Sequence, residues 1–152
     1  MNTFDWIREI IGTKRVAAIP IMTHPGIEIL GYRVLDAVTD GEVHFKAIQA
    51  LDERFPQSSA STVIMDLSVE AEAFGAKLHF AENEVPSVVG RLVSSYDEVM
   101  ALPVPSVDSA RVPEFLKANR LAAEHLAKPV FAGSIGPFSL AGRLFDMTEI
   151  MM

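Results

Sequence analysis

Asp66 is the residue whose position in this sequence most favours chemistry. It follows Val63–Met65, an unbroken apolar run typical of a strand buried on both faces. A short helical pattern follows, capped by Ser68 and ended by Gly75. In α/β folds, catalytic groups lie at the carboxyl ends of strands, just before the next helix. The sequence therefore predicts Asp66 as a catalytic residue; the competing interpretation is that its carboxylate only caps the helix.

His24 is the second candidate catalytic residue. It lies in a Thr-His-Pro-Gly loop that directly follows the apolar stretch Arg15–Met22, a predicted strand. A loop after a strand is at the active-site end of an α/β barrel, where an imidazole can contact substrate or donate a proton. The alternative is a loop histidine with no special role.

A glycine-rich loop at 133–139 is the candidate substrate-binding segment. It precedes a predicted helix that starts at Pro137, and free N–H groups at a helix start can receive a carboxylate, phosphate or sulfonate group. A plain strand-to-helix turn would use the same glycines, so both interpretations stay open. The candidate substrate-binding residues are Gly133, Ser134, Gly136, Phe138 and Ser139.

The remaining acids and histidines near these segments do not form a catalytic pattern. Glu70 and Glu72 are two residues apart, so on a helix they do not share a face, and we expect them to be solvated. His44, His79 and His125 have no common spacing, and we expect them to be structural or solvated.

Composition narrows the class of protein and its partners. The chain has 152 residues, of which 49% are hydrophobic and 22% charged, as in a globular domain with an ordinary core. The absence of cysteine excludes disulfides, thiolate nucleophiles and cysteine-ligated zinc within these residues, and it favours a cytoplasmic protein. No apolar run is long enough to span a bilayer, and the net charge of −7 argues against nucleic acid or an anionic membrane as partner.

Hydrophobic periodicity predicts alternating helices and short strands. Two further segments, Lys77–Phe80 and Val85–Val93, are predicted to form a small hairpin or arm. Long helices between apolar strands favour a parallel sheet with crossover helices. The predicted strands are Arg15–Met22, Val63–Met65 and Pro129–Ala132, and the predicted helices cover 3–12, 26–31, 39–54, 68–75, 109–128 and a last stretch from Pro137 that carries Leu140, Leu144, Met147 and Met151.

The last predicted helix is still apolar where the sequence stops at Met152. Three predicted strands are also fewer than the eight of a closed barrel, which takes about 250 residues. The predicted fold class is therefore α/β, with residues 1–152 forming the N-terminal half of a single (β/α)8 barrel, truncated relative to the whole domain.

Three stretches carry a family resemblance. They are Asp66–Gly75 (DLSVEAEAFG), residues 133–140 (GSIGPFSL) and residues 15–20 (RVAAIP), and together they resemble the uroporphyrinogen decarboxylase superfamily. That superfamily also contains the methylcobamide:coenzyme M methyltransferases and related corrinoid methyltransferases, and VEAEAFG looks closer to that branch. The resemblance implies a (β/α)8 barrel and a chain about twice this long.

The resemblance also implies residue roles. Asp66 falls on the aspartate that, in the decarboxylases, sits over the substrate's pyrrole nitrogens. Those enzymes grip substrate carboxylates with an arginine-rich loop after the first strand, and the matching stretch Met22–Glu28 has no arginine. The methyltransferases bind zinc through His and Cys ligands in the second half of the barrel, so we expect no cofactor within this chain and zinc in the full-length parent.

Three functions follow as expectations. The first is a fragment of a corrinoid-dependent methyltransferase that moves a methyl group to a small thiol, with a small-molecule substrate and a corrinoid protein as partners. The second is a uroporphyrinogen decarboxylase of tetrapyrrole biosynthesis, which needs no cofactor. The third is a non-catalytic module that self-associates to cover open strand edges and apolar helix faces. The isolated chain is expected to be catalytically inactive.

Overall fold

A computed structural model describes residues 3–13 and 16–151. The short strands are β1 (Ser61–Thr62), β2 (Leu78–His79), β3 (Ser87–Val88) and β4 (Val130–Phe131). The helices are α1 (Thr3–Thr13), α2 (His24–Leu30), α3 (Val34–Thr39), α4 (Gly41–Arg54), α5 (Val69–Ala73), α6 (Tyr96–Ala101), α7 (Val112–His125), α8 (Pro137–Leu144) and α9 (Met147–Ile150).

The central strand pair is parallel, as the sequence predicts. Ser61 of β1 lies opposite Val130 of β4, and Thr62 lies opposite Phe131. The connection between the two strands contains α5, the β2–β3 hairpin, α6 and α7. The predicted α/β class, with parallel strands joined through helices, is thereby confirmed.

The strand predicted at Arg15–Met22 is not formed in the described part, residues 16–22, and Arg15 itself lies outside the described residues. This segment still runs beside β1, because the Ser59 N–H donates to the Ala18 carbonyl at 2.9 Å and the Thr62 hydroxyl donates to the Pro20 carbonyl at 3.3 Å. Pro20 has no N–H to donate, which interrupts a regular ladder.

The predicted strand Val63–Met65 is displaced toward the N-terminus, where β1 ends at Thr62. The reason is a hydrogen bond outside the sheet: the Ile64 N–H donates to the Nε2 atom of buried His44 at 2.9 Å. Val63 and Ile64 are nevertheless buried, as the apolar run predicts, and Met65 is 46% exposed.

Helix α4 is the packing centre of the molecule. It packs against α2, α3 and α7, and its buried face includes Ala47, Ile48 and Leu51. It begins two residues later than the predicted helix over 39–54, because Thr39 ends α3 and the Asp40 carboxylate accepts the Glu42 N–H. The sequence pattern missed both α3 and α6.

The predicted hairpin is confirmed, since β2 and β3 pair antiparallel with Leu78 opposite Val88. Two predicted helices are shorter than expected. Ala110 adopts a φ of +49°, so α7 begins at Val112 rather than at residue 109. The helix predicted from Pro137 breaks at Phe145, and α9 starts again where the Asp146 carboxylate accepts the N–H groups of the next turn. Within the described residues no helix has the length and hydropathy needed to cross a membrane.

A substitution at Gly26 would test the close packing of α2 against α4. A Cβ atom at this position would overlap the carbonyl oxygen of Ala47, which is backbone and cannot turn away. We expect Gly26→Ala to lower the free energy of unfolding by about 3 kcal/mol or more, measured by urea denaturation. Gly12→Ala is the matched control, because nothing lies within 4 Å of its Cβ position and alanine favours helix. Equal midpoints for the two variants would contradict this packing.

Candidate functional site

Asp66 lies at the predicted place but is fully engaged by the protein. Its side chain is 0% exposed, and Oδ2 accepts from Nη1 of Arg111 at 2.6 Å. Oδ1 accepts from the Ser68 N–H at 2.9 Å and from the Ser68 hydroxyl at 2.5 Å. The carboxylate therefore caps the turn into α5, and both of its oxygens are used before any substrate arrives.

Arg111, at the start of α7, is the partner that sequence reasoning missed. Besides Asp66, its guanidinium donates from Nε to Glu72 at 2.6 Å and from Nη2 to the Ser68 hydroxyl at 2.9 Å. Nη1 also donates to the Val38 carbonyl at 3.3 Å, so Arg111 contacts the end of α3 as well. One buried cation thus joins α3, the turn after β1, α5 and α7.

Two aromatic rings flank the Arg111 guanidinium. Its central carbon lies 5.3 Å from the ring centroid of Phe80 on the arm and 5.8 Å from that of Phe115 on α7. Faces of aromatic rings attract cations, and this attraction is stronger where water is excluded. The Arg111 side chain is only 8% exposed. We call Asp66, Ser68, Glu72 and Arg111 the Arg111 cluster.

Glu70 and Glu72 are not the solvated acids that the sequence favours. Glu72 belongs to the Arg111 cluster, and Glu70 reaches the glycine-rich loop. Oε1 of Glu70 accepts from the Ile135 N–H at 3.0 Å and from the Ser134 hydroxyl at 3.1 Å. The spacing prediction was correct in one respect: the two carboxylates face different partners and do not form an acid/base pair.

A cavity of about 230 Å³ lies between the ends of the parallel strands and α7. Of the predicted site residues, Asp66, Gly133 and Ser134 line it, together with Glu70. Most of the other lining side chains are apolar: Ile64, Met65, Leu67, Val69, Val112, Phe115, Leu116, Ala132 and Ile135.

The remaining predicted residues lie outside this lining. His24 is exposed in the first turn of α2. Gly136 caps α8, and Phe138 and Ser139 follow in its first turn, with Phe138 57% exposed. The structure therefore groups two of the five loop residues with Asp66 and does not place His24 in the wall of the cavity.

His44 is a buried structural histidine behind the site. Its Nε2 accepts the Ile64 N–H, and its ring meets Phe115 edge to face at a centroid distance of 5.1 Å. Burial lowers the pKa of His44 from 6.5 to about 4, against a smaller opposing effect of the negative charge on Asp66. His44 is thus a neutral hydrogen-bond acceptor that holds the chain two residues before Asp66.

The described residues do not provide a metal site. No group of three or more histidine, aspartate or glutamate side chains in residues 3–13 and 16–151 is placed to hold a metal ion. The sequence contains no cysteine to add to such a group.

Comparison with known proteins identifies the family. The family model described as uroporphyrinogen decarboxylase (URO-D) matches residues 13–152. A solved methyltransferase structure from Methanosarcina mazei superimposes with a TM-score of 0.76 and 22% identity, covering 90% of this chain and 42% of that chain. At that identity the match establishes the fold, which is an α/β barrel arrangement. The chain belongs to the uroporphyrinogen decarboxylase family.

Curated relatives come from the methyltransferase branch. Methylcobamide:CoM methyltransferase MtbA of Methanosarcina mazei is 34% identical in an alignment 85 residues long, which covers 54% of this chain and 25% of the relative. The protein of the same name from Methanosarcina acetivorans is 32% identical in an alignment 104 residues long, which covers 60% of this chain and 31% of the relative. The matches thus span between a quarter and a third of the length of these relatives.

The pKa of His44 gives a pH test of the site's framework. The unfolded histidine takes up a proton near pH 6.5, whereas the folded one does so only near pH 4, so its contribution to stability is present above pH 6.5 and lost as pH falls toward 4. The full loss is about 3 kcal/mol for a shift of this size. His44→Gln keeps an acceptor but cannot titrate. We expect its free energy of unfolding to change less between pH 6.5 and pH 4 than that of the unmodified protein. Parallel curves for the two proteins would contradict the assignment.

Proposed function

We propose that this chain forms the N-terminal part of a corrinoid-dependent methyltransferase, which moves a methyl group from a corrinoid protein to a small thiol in the cytoplasm. The names of the two curated relatives, both methylcobamide:CoM methyltransferases, support this reaction class. In this proposal, residues 1–152 contribute one wall of a site within a larger single barrel domain.

The observation that carries the choice over decarboxylation is the state of Arg111. A tetrapyrrole precursor with several carboxylates needs guanidinium groups that are free to pair with it. Arg111 is the arginine nearest Asp66, and it is already bound to Asp66 and Glu72. No lysine or arginine lines the neighbouring cavity among the described residues. A site of this character suits a small thiol better than a polycarboxylate.

The chain's own residues position the site in this proposal. The Arg111 cluster fixes α5, and Glu70 at the start of α5 holds the loop at Ser134 and Ile135. Gly133 and Ser134 then form the substrate wall. Asp66 acts as a positioning residue, because its carboxylate is buried and fully hydrogen bonded.

The exposed residues at the helix starts suit a larger partner. His24 begins α2, while Gly136, Phe138 and Ser139 surround the start of α8. We assign these positions to contact with the corrinoid protein, since His24, Gly136 and Phe138 are exposed and half-buried Ser139 lies beside them. Zinc, which the resemblance implies for the full-length enzyme, has no fitting ligand set in the described residues, and no step is assigned to it.

A second candidate function, a non-catalytic module that self-associates, rests on a separate observation. Three apolar side chains in or next to the parallel strand pair are exposed to solvent. They are Ile21 at 65%, Met65 at 46% and Phe131 at 41%. Apolar side chains beside a strand pair with open edges favour association with another polypeptide. A stable dimer of the isolated chain by light scattering would support this candidate.

A fusion protein tests the proposed reaction. Residues 1–152 would replace the matching part of the Methanosarcina mazei methyltransferase, and the fusion would be assayed with methylcobalamin and CoM. We expect demethylation of the corrinoid in the fusion and none in the isolated chain, which lacks the other walls of the barrel. A folded fusion that decarboxylates uroporphyrinogen, or that transfers no methyl group, would overturn the proposal. Turnover by the isolated chain at the rate of the fusion would contradict the need for a larger barrel.

A further inference from the structure

Residues 102–107 form a largely exposed segment between α6 and α7. We call this segment, which reads Leu-Pro-Val-Pro-Ser-Val, the proline ridge. It has no helix or strand, and Leu102 at its start adopts a φ of −63° and a ψ of 123°, near the polyproline II conformation. Val104 is 91% exposed and Val107 is 65% exposed. Because the prolines fix φ within the segment, these two side chains are presented with little conformational entropy left to lose on binding.

The proline ridge and the glycine-rich loop share a groove. Residues 104–107 line this groove together with Ser134 and Ile135 of the loop. Both loop residues also line the 230 Å³ cavity beside Asp66, as do Glu70 and Val112, which the groove and the cavity have in common. The proline ridge therefore lies at the rim of the candidate site and not on a remote face of the molecule.

Neither segment at this rim contains a charged residue. Residues 102–107 and 133–140 have no lysine, arginine, histidine, aspartate or glutamate, although 22% of the chain is charged. Among the described residues that line the groove, only Glu70 is charged, and its carboxylate is hydrogen bonded to Ser134 and Ile135. Exposed apolar side chains without neighbouring charges are typical of the centre of a protein–protein interface. The rim is therefore complementary to an uncharged surface on a partner.

The size of the methyl donor determines which partner fits this rim. The cavity of about 230 Å³ is below the ~300–1,000 Å³ typical of sites for drug-sized ligands, so it can hold a small thiol. A corrin ring with its substituents is larger than such ligands and has to present its methyl group from outside the cavity. The protein that carries the ring then covers the rim, where the proline ridge is continuous with the exposed start of α8 at Phe138.

We propose that the proline ridge is a docking surface for the corrinoid protein, with Val104 and Val107 as its apolar anchors. The inference rests on the proposed function, since it takes the methyl donor to be bound to a protein. It adds a second segment to the contact assigned to the start of α8. Docking is separate from the chemistry in this arrangement, because free methylcobalamin reaches the cavity without a protein that contacts the ridge.

Aspartate substitutions in the fusion protein test this surface. The probe is a methylated corrinoid protein from Methanosarcina mazei, and its Kd for the fusion is measured by biolayer interferometry without turnover. We expect Val104→Asp and Val107→Asp each to raise this Kd roughly tenfold or more, since a carboxylate would be buried without a partner. Turnover with free methylcobalamin and CoM should stay within about twofold, as for other exposed substitutions away from the reacting groups.

Two further variants separate the apolar contact from charge and from folding. Gln57→Asp adds the same charge at an exposed turn before β1, at the other end of the strands, and should leave the Kd unchanged. Val104→Ile keeps an apolar side chain and should keep the Kd as well. Urea unfolding midpoints equal to that of the unmodified fusion establish that the aspartate variants are folded.

The outcomes decide the proposal. An unchanged Kd in both aspartate variants, or no binding of the corrinoid protein to the unmodified fusion, would overturn it. An equal loss of turnover with methylcobalamin would place the ridge inside the barrel, and dissociation of a fusion dimer by Val104→Asp would assign it to a second copy; either result would also overturn it. Failure of the proposed function is distinguishable, because it appears as no methyl transfer from methylcobalamin by the unmodified fusion, while the Kd still reports on docking.

Discussion

The site depends on one buried cation. Arg111 lies at the start of α7, yet it is bound to Asp66 and Glu72 in segments about forty residues earlier in the chain. Removing a guanidinium and two carboxylates from water costs several kcal/mol per ion, and this cost is offset only when each group is paired and hydrogen bonded. The structure meets that condition through Ser68, the Val38 carbonyl and two flanking rings.

The consequence of this pairing extends to the glycine-rich loop. Ser68 and Glu72 bind the two ends of the short helix α5 to Arg111. The backbone at Glu70, which lies between them, is therefore held in place. Glu70 then bonds to Ser134 and Ile135 after β4. The ends of the two parallel strands are thus joined twice, through the sheet and through α5. A five-residue helix without tertiary contacts would not be stable enough for this role.

The sequence was sufficient for the features that depend on local pattern. The apolar run before Asp66, the hairpin and the body of helix α4 were all found from periodicity and turn residues, and family motifs identified the barrel. Glu70 and Glu72 were misjudged because spacing on a short helix indicates which face a residue takes but not what lies opposite. Arg111 gave no signal at all, since its partners are far away in the sequence and an arginine two residues before Pro113 looks like any helix start.

Two of the corrections share a physical cause, which is competition for backbone groups. Ile64 gives its N–H to His44 instead of a strand neighbour, so β1 ends early. Asp146 takes N–H groups of the following turn and divides the final helix. Both are side chain to backbone bonds, which local propensity does not predict when the side chain is distant or when a helix former could continue the helix.

A double-mutant cycle on Asp66 and Arg111 tests the central claim, that their ion pair holds the site together. Arg111→Met, Asp66→Leu and the double variant would be compared by urea unfolding at neutral pH. Removing Arg111 alone leaves a buried, unpaired carboxylate, and we expect it to cost about 3–5 kcal/mol. The double variant should lose less than the sum of the single changes by about 2 kcal/mol or more. Additivity within about 0.5 kcal/mol would contradict the account.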